Sequence, residues 1–244
     1  FDGLWDLDNL SFNTVDGFVY GLDFRMTKGW KNSKSVVISP EVKWAFSRQE
    51  VLARMNGSYS FNRMKQQQLF FRSGITSRDV SSGGSINPLI NSVASLFFEK
   101  NYLKLYESKF LNLGFRSEIT NGLRIEISGG YEYRNTLNNN SSFAFVNSKN
   151  EYTINLPVND YLEAGSNPIH ALRNQNHFEF VTNVTYTPRQ KYSIYNGAKV
   201  SRGSDWPTFR FSWNHGINEF AELTDRYKNI DMLSLEISKS RDIG

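Results

Sequence analysis

Apolar and polar residues alternate strictly along much of this 244-residue chain, and many of the polar positions carry a formal charge. Residues 123–134 show the pattern clearly, since Ile125 and Ile127 flank Glu126 there. Successive side chains of a β-strand leave opposite faces of the sheet, so a period of two indicates β-structure. Strands of about ten residues with one apolar and one charged face are typical of a transmembrane β-barrel, whose wall separates lipid from water.

The alternation divides the predicted strands into a lipid-facing and a lumen-facing set. The predicted lipid-facing residues are Phe18, Tyr20, Leu22, Phe24, Leu123, Ile125, Ile127, Phe209, Phe211 and Trp213. The predicted lumen-facing residues carry opposite charges two positions apart and can form a charge ladder with neighbouring strands. They are Asp23, Arg25, Glu41, Lys43, Arg116, Glu118, Arg124, Glu126, Glu132 and Arg134. A soluble β-sandwich with one solvated face shows the same alternation, so that alternative stays open.

Composition narrows the class of protein further. No stretch approaches the roughly 20 apolar residues of a membrane-spanning helix, which excludes a helical membrane bundle. The chain has no cysteine, so a disulfide framework and thiolate metal sites are ruled out. The formal net charge of +4 is spread along the chain and forms no concentrated basic stripe. We therefore expect no nucleic-acid partner, whereas an anionic partner such as lipopolysaccharide is compatible.

Nine predicted strands follow a polar, aromatic leading segment at residues 1–16. The strands cover about 17–28, 34–48, 50–62, 67–78, 108–119, 123–136, 176–188, 207–215 and 230–239. Proline is unfavourable inside a central strand, so Pro40 argues against the strand predicted at 34–48. An odd count is unusual for a complete bacterial barrel. We interpret residues 17–244 as one antiparallel, all-β barrel domain that is part of a larger barrel.

The connections between the predicted strands differ greatly in length. Thr120-Asn121-Gly122 predicts a tight hairpin, because Asn-Gly favours the turn that matches strand twist. The two longest connections, 79–107 and 137–174, fall on the same side of the predicted sheet. Apolar residues at helical spacing predict a short helix within 88–106. Loops of this length are usually functional or disordered, so we expect them to contact partners or to close the lumen.

The residues available for catalysis are few. His177 and Glu179 share a strand face and His170 lies in the preceding connection, but strand spacing supplies only two metal ligands. No nucleophile elbow, phosphate-binding glycine loop or HExxH motif occurs. Acidic residues are plentiful, yet no two are marked out as a glycosidase pair. The sequence therefore predicts no catalytic residue, no metal site and no cofactor, and the protein is expected not to be an enzyme.

Six short motifs follow one another along nearly the whole chain. They are FNTVDGF (12–18), INPLIN (86–91), NYLKLYE (101–107), YRNTLNN (133–139), YTPRQKY (186–192) and DWPTF (205–209). In this order the chain resembles the Bacteroidetes-type outer-membrane proteins that pair a carboxypeptidase-regulatory-like domain with a large barrel domain of unknown function. The resemblance implies an exported protein of the bacterial outer membrane, a small periplasmic β-sandwich upstream and further barrel strands. That family has no agreed catalytic residues, so none is transferred to this chain.

These observations favour a structural or transport component of a multi-protein envelope complex. Its expected partners are outer-membrane lipid, lipopolysaccharide and other envelope proteins. Two alternatives stay open at this point. In an autonomous diffusion channel, the charge ladder would set ion selectivity. In a soluble β-sandwich enzyme or glycan-binding domain, Trp30, Trp206 and Tyr195 would contact the ligand from exposed loops.

Overall fold

The computed structural model describes residues 10–30, 34–80, 86–146, 151–155, 174–220 and 227–239, which form thirteen strands and one helix. The strands are β1 (Leu10–Asn13), β2 (Gly17–Asp23), β3 (Met26–Gly29), β4 (Ser35–Ala45), β5 (Glu50–Asn62), β6 (Gln67–Asp79), β7 (Leu105–Thr120), β8 (Leu123–Thr136), β9 (Gln175–Tyr186), β10 (Tyr192–Tyr195), β11 (Ala198–Ser201), β12 (Thr208–Phe220) and β13 (Tyr227–Ser238). The helix α1 covers Pro88–Phe98. The predicted antiparallel all-β class and the short helix are confirmed. Within the described residues, no helix is both long and apolar enough to cross a membrane.

Eleven strands form one sheet whose main path is an antiparallel meander. Its order is β1-β2-β4-β5-β6-β7-β8-β9-β12-β13, and β3 continues the line of β2 beside β4. In the described residues the sheet is open, with β1 and β13 at its edges, so a closed barrel is not observed. The short strand β1 lies inside the predicted leading segment, where it pairs with the start of β2.

The strand connections lie at two ends of the sheet, which we name by their most prominent features. The helix end contains the turns at 14–16 and 46–49 together with α1. The hairpin end contains the turns at 63–66 and 121–122 and a separate hairpin formed by β10 and β11. Both long connections, β6 to β7 and β8 to β9, leave the sheet at the helix end. The described ends of both connections therefore lie on the same side of the sheet.

Pro40 lies inside β4, and its effect is confined to the neighbouring strand. The ladder between β2 and β4 ends at Asp23–Glu41, and the ladder between β3 and β4 begins at Met26–Ile38. Phe24 still donates its backbone N–H to the Pro40 carbonyl at 2.9 Å. Proline has no N–H to return, so the pairing is interrupted here without a change in register.

Burial across the sheet is the reverse of that in an ordinary soluble protein. Along β8 the apolar positions Ile127 and Tyr131 are exposed, whereas Ser128 is half-buried and Glu132 is buried. The same alternation occurs along β7 and β9. Among the described residues, buried polar side chains outnumber buried apolar ones by fourteen to eight. In the middle of these strands the apolar positions are therefore more exposed than the polar positions.

The apolar core is correspondingly small. Val15, Leu103 and Leu105 form a buried cluster at the helix end, with Leu137 packed against it. This cluster joins the turn after β1 to the segment that leads into β7. It fixes one end of the molecule, but it does not cover the apolar face of the sheet.

Candidate functional site on the charged face of the sheet

Most of the predicted charge ladder forms ion pairs. Arg116 and Glu126 pair across β7 and β8 at 2.5 Å, between Nη2 and Oε2. Glu41 pairs with Lys43 at 2.5 Å on its own strand and with Arg54 of β5. These contacts follow from the register, because i and i+2 residues and directly opposed residues share a face.

Glu132 is the most connected carboxylate in the centre of this face. Its oxygens accept from Arg134 at 2.8 Å and from Arg78 at 3.1 Å, and the Ser108 hydroxyl also donates to it. The Arg78 guanidinium carbon lies 4.4 Å from the centre of the Phe110 ring, in cation–π geometry. These contacts restrict the conformations of the Glu132, Arg78 and Arg134 side chains.

Three parts of the ladder differ from the predicted pairing. No ion pair is found for Asp23 or Arg25 within the described residues, and both are exposed beside the interruption at Pro40. Arg124 donates to Gln66 rather than to a carboxylate. Glu118 pairs with Lys199 of β11 at 2.7 Å, and their side chains are only 4% and 7% exposed. The hairpin of β10 and β11 folds back onto the hairpin end of the sheet and brings this lysine into place.

A polar cavity of about 220 Å³ lies in the middle of the charged face. Six of the residues that line it are Arg54, Arg72, Arg78, Asn112, Glu132 and Glu179. Arg54 and Arg78 have carboxylate partners, but no ion pair to Arg72 is found among the described residues. The Oδ1 atom of Asn112 is buried in this cavity and accepts no hydrogen bond from any of the described residues. Glu179 likewise has no ion pair among the described residues, so the cavity holds one cation and one carboxylate without an ionic partner, together with one unused acceptor.

The histidine and glutamate that share a strand face are held by hydrogen bonds to β12. The His177 Nδ1 atom lies 2.7 Å from Asn218 Oδ1, and Glu179 Oε1 accepts from Asn214 Nδ2 at 2.7 Å. In the part of the chain that the structure describes, no three His, Asp or Glu side chains are grouped as metal ligands. His170 lies outside the described residues.

A second charged cluster, which the sequence analysis did not identify, lies at the helix end. Arg48, in the turn after β4, contacts Asp16 at 3.3 Å and Glu107 at 2.6 Å, and it also pairs with Glu50. The side chains of Arg48, Asp16 and Glu107 are 4%, 3% and 7% exposed. Burial disfavours the cation, but the neighbouring carboxylates outweigh it and raise the pKa of Arg48 above its ordinary value. The Ser77 hydroxyl donates to Asp16 at 3.0 Å and completes the cluster.

An amide network beside this cluster joins the two long connections. Asn91 of α1 donates to Asn101 Oδ1 at 2.9 Å, and Asn101 donates to Thr14 Oγ1 at 2.7 Å. Thr14 in turn donates to Asn139 Oδ1 at 2.7 Å. These residues come from the first four of the six sequence motifs. These four motifs therefore supply hydrogen bonds that hold the connections together at the helix end.

The two remaining motifs meet at the hairpin end. The Thr187 and Thr208 hydroxyls lie 3.0 Å apart, and Lys191 pairs with Asp205 at 2.9 Å. Trp206 lies beneath the guanidinium of Arg189, 5.4 Å from it. The motifs join the start of β12 to the end of β9.

The ligand-binding alternative relies on Trp30, Trp206 and Tyr195, and these three side chains do not line a common cleft among the described residues. Tyr195 is exposed at the end of β10. Trp30 and Trp206 are exposed, and each is partly covered by a basic side chain, Lys28 at 5.5 Å in the case of Trp30. Nothing in this arrangement distinguishes them as a binding site.

The predicted lipid-facing residues lie on a single apolar face where the register defines it. Phe211 of β12 and Ile125 of β8 both lie opposite Val184 of β9, and the neighbouring pairs follow the same rows. Tyr20 and Leu22 of β2 lie opposite Trp44 and Val42 of β4. Ten residues spread over three segments of sequence thus share one face of the sheet.

The fold defines an antiparallel β-sheet protein with one face of charged, largely ion-paired side chains and an opposite face of exposed apolar side chains. The chain belongs to a family of unknown function, DUF5686, whose C-terminal domain model matches residues 1–244. No curated protein and no solved structure matches the chain. This match confirms the prediction, implied by the sequence resemblance, that the chain is a domain of unknown function. The bacterial source and the upstream domain stay predictions.

Proposed function

We propose that the described sheet is part of the wall of an outer-membrane β-barrel that acts without catalysis, as a structural or transport component of an envelope complex. The observation that carries this proposal is the reversed burial of the sheet. In water, an exposed apolar face of this extent would drive association. In a bilayer, the same face would meet hydrocarbon while the charged face lined the lumen.

The length of the apolar rows supports the proposal. Six alternate positions of β8, from Leu123 to Tyr133, lie on the apolar face. At about 3.3 Å per residue they extend about 33 Å along the strand. A strand tilt of about 40° reduces this to about 25 Å across the membrane, which is the height of the apolar band of known barrels.

Barrel closure in this proposal involves the two free edges of the sheet. Nearly every described residue of β13 is exposed, including Leu233, Leu235 and Ile237. β1 and β13 run in opposite directions, so a pair between them would be antiparallel, but β1 has only four residues. The proposal therefore requires further β-structure along the rest of the β13 edge, because an unpaired strand is not tolerated in lipid.

The proposed partners are outer-membrane lipid, lipopolysaccharide and other envelope proteins. The fastened connections at the helix end give such proteins a fixed surface to contact. The charged face is the surface on which a lumenal plug or cargo would bind.

Membrane fractionation tests the proposal. We expect the protein to stay in outer membranes after an alkaline carbonate wash and to migrate differently on a gel before and after boiling. Release into the soluble fraction would contradict the proposal and favour the β-sandwich alternative. A soluble periplasmic protein and a known barrel, followed in the same fractions, control for the wash.

The cavity around Arg72 favours a diffusion channel as a second candidate function. Charged side chains in a lumen wall set the ion selectivity of an open pore, and in this cavity Arg72 favours anions whereas Glu179 favours cations. A plugged barrel, by contrast, should give no steady current. The two functions are therefore separated by single-channel recording.

The selectivity of such a pore should depend on Arg72. We expect Arg72→Glu to shift the reversal potential in a potassium chloride gradient toward cation selectivity, because the change replaces a cation of the wall with a carboxylate. Arg63→Glu, in the exposed turn after β5, is the matched control and should leave the reversal potential unchanged. If the two variants had the same selectivity, Arg72 would not be a determinant of ion selectivity in the pore.

A further inference from the structure

The helix α1 turns mainly polar side chains toward the protein and apolar side chains outward. The residues that face the protein are Asn91, Ser92, Ser95 and Leu96. The apolar residues Leu89, Ile90, Val93, Phe97 and Phe98 face outward, with exposures from 46% at Val93 and Phe97 to 61% at Ile90. No charged residue occurs between Pro88 and Phe98. A surface helix of a soluble protein shows the opposite arrangement.

Hydrogen bonds hold the helix in this orientation. Asn91 Oδ1 accepts from the backbone N–H groups of Tyr102 at 2.9 Å and Leu103 at 3.3 Å. The Ser92 hydroxyl accepts from the backbone N–H of Phe12 in β1 at 2.7 Å. Rotation of α1 would leave these buried groups unpaired, which is costly. The outward apolar surface is therefore a fixed feature of the fold.

A chain of aromatic rings connects this surface to the apolar face of the sheet. The Phe97 ring of α1 lies 5.4 Å from that of Phe145, which lies 5.4 Å from Phe143. Phe143 lies 5.8 Å from Phe18, which is on the same face of β2 as Tyr20 and Leu22. The apolar side of the sheet and the outer side of α1 thus form one continuous surface.

We infer that α1 and this aromatic chain lie in the membrane at the boundary between headgroups and hydrocarbon, so that lipid covers the outer side of the helix. The inference rests on the proposed function, because it extends lipid contact from the sheet to α1. Continuity of the two surfaces selects lipid as the occupant. Aromatic residues also concentrate at both interfaces of membrane barrels, and apolar helix faces lie at this depth in peripheral anchors.

Fluorescence quenching by spin-labelled lipid tests the inference. The chain has no cysteine, so Val93→Cys, Phe211→Cys and Asn196→Cys each provide a single site for a bimane label. Each labelled protein is reconstituted in vesicles of phosphatidylethanolamine and phosphatidylglycerol that carry a nitroxide at acyl carbon 5 or 12. We expect several-fold stronger quenching at Val93 than at Asn196, which lies in the exposed turn between β10 and β11. The nitroxide at carbon 5 should be the more effective of the two at Val93.

The outcomes separate the inference from the proposed function. Quenching at Phe211 without quenching at Val93 would overturn the inference and leave the membrane sheet in place. Strong quenching of the Val93 label by aqueous iodide would also overturn it. If neither Phe211 nor Val93 were quenched by lipid, the proposed function would fail together with the inference.

Discussion

Replacing Phe211 with arginine is expected to lower the free energy of unfolding in a bilayer by about 2–4 kcal/mol, because arginine near the midplane of a lipid-facing strand costs that much. Ile127→Arg should have an effect of the same size. Both residues are exposed on the apolar face, at 42% and 40%. The loss is measured by denaturant titration of the refolded protein in phospholipid vesicles.

Adjacent residues on the charged face provide matched controls for this experiment. Ser212 follows Phe211 and lies opposite Asn183 and Ser234, while Ser128 follows Ile127 on the same polar side. Ser212→Arg and Ser128→Arg should cost much less than the apolar-face variants, since a charge there meets water or the existing ladder. Equal costs on the two faces would contradict the assignment of the apolar face to lipid.

Removal of the cation at the helix end is expected to produce the second large effect. Arg48→Met leaves the buried carboxylates of Asp16 and Glu107 without their cation, although Lys109 still contacts Glu107 at 3.1 Å. Breaking a buried ion pair by removal of one partner typically costs about 3–5 kcal/mol, because the remaining charge is buried without compensation. Denaturant titration of the reconstituted protein measures this loss.

An exposed arginine on the same sheet controls for loss of charge alone. Arg54 pairs with Glu41, but its side chain is 49% exposed, so Arg54→Met should cost less than about 1 kcal/mol. If burial of unpaired charge is the cause, adding Glu107→Gln to Arg48→Met should recover part of the lost stability. A loss at Arg48 no larger than that at Arg54 would show that the cluster does not stabilise the helix end.

The long strands of the sheet were predictable because alternation is a local property. The segment predicted at 123–136 is β8, and the one predicted at 50–62 is β5. The irregular pattern in β6 also has a local cause. Phe70 points to the polar face, where Gly114 leaves room for its ring, because a Cβ on Gly114 would lie 2.2 Å from the Phe70 ring. Consecutive apolar residues therefore do not break the strand.

The elements that escaped prediction depend on partners distant in sequence. β1 and the strands of the separate hairpin have only four residues each, which is too short for a period of two to be recognised. The pair of Glu118 with Lys199 joins residues 81 positions apart, and Arg48 reaches Glu107 over 59 positions. Nothing in the local pattern marks these residues as partners. The shared location of the sequence motifs at the two ends of the sheet likewise appears only in the fold.

The central claim is that one face of the sheet meets lipid and the other meets water, and spin-label accessibility along β9 tests it most directly. Single cysteines at Phe178, Glu179, Phe180 and Val181 alternate between the two faces, and the absence of native cysteine keeps each label unique. In vesicles, we predict high oxygen accessibility at Phe178 and Phe180 and high accessibility to a water-soluble nickel reagent at Glu179 and Val181. Labels at Phe178 and Phe180 that are as accessible to the nickel reagent as those at Glu179 and Val181 would contradict the claim.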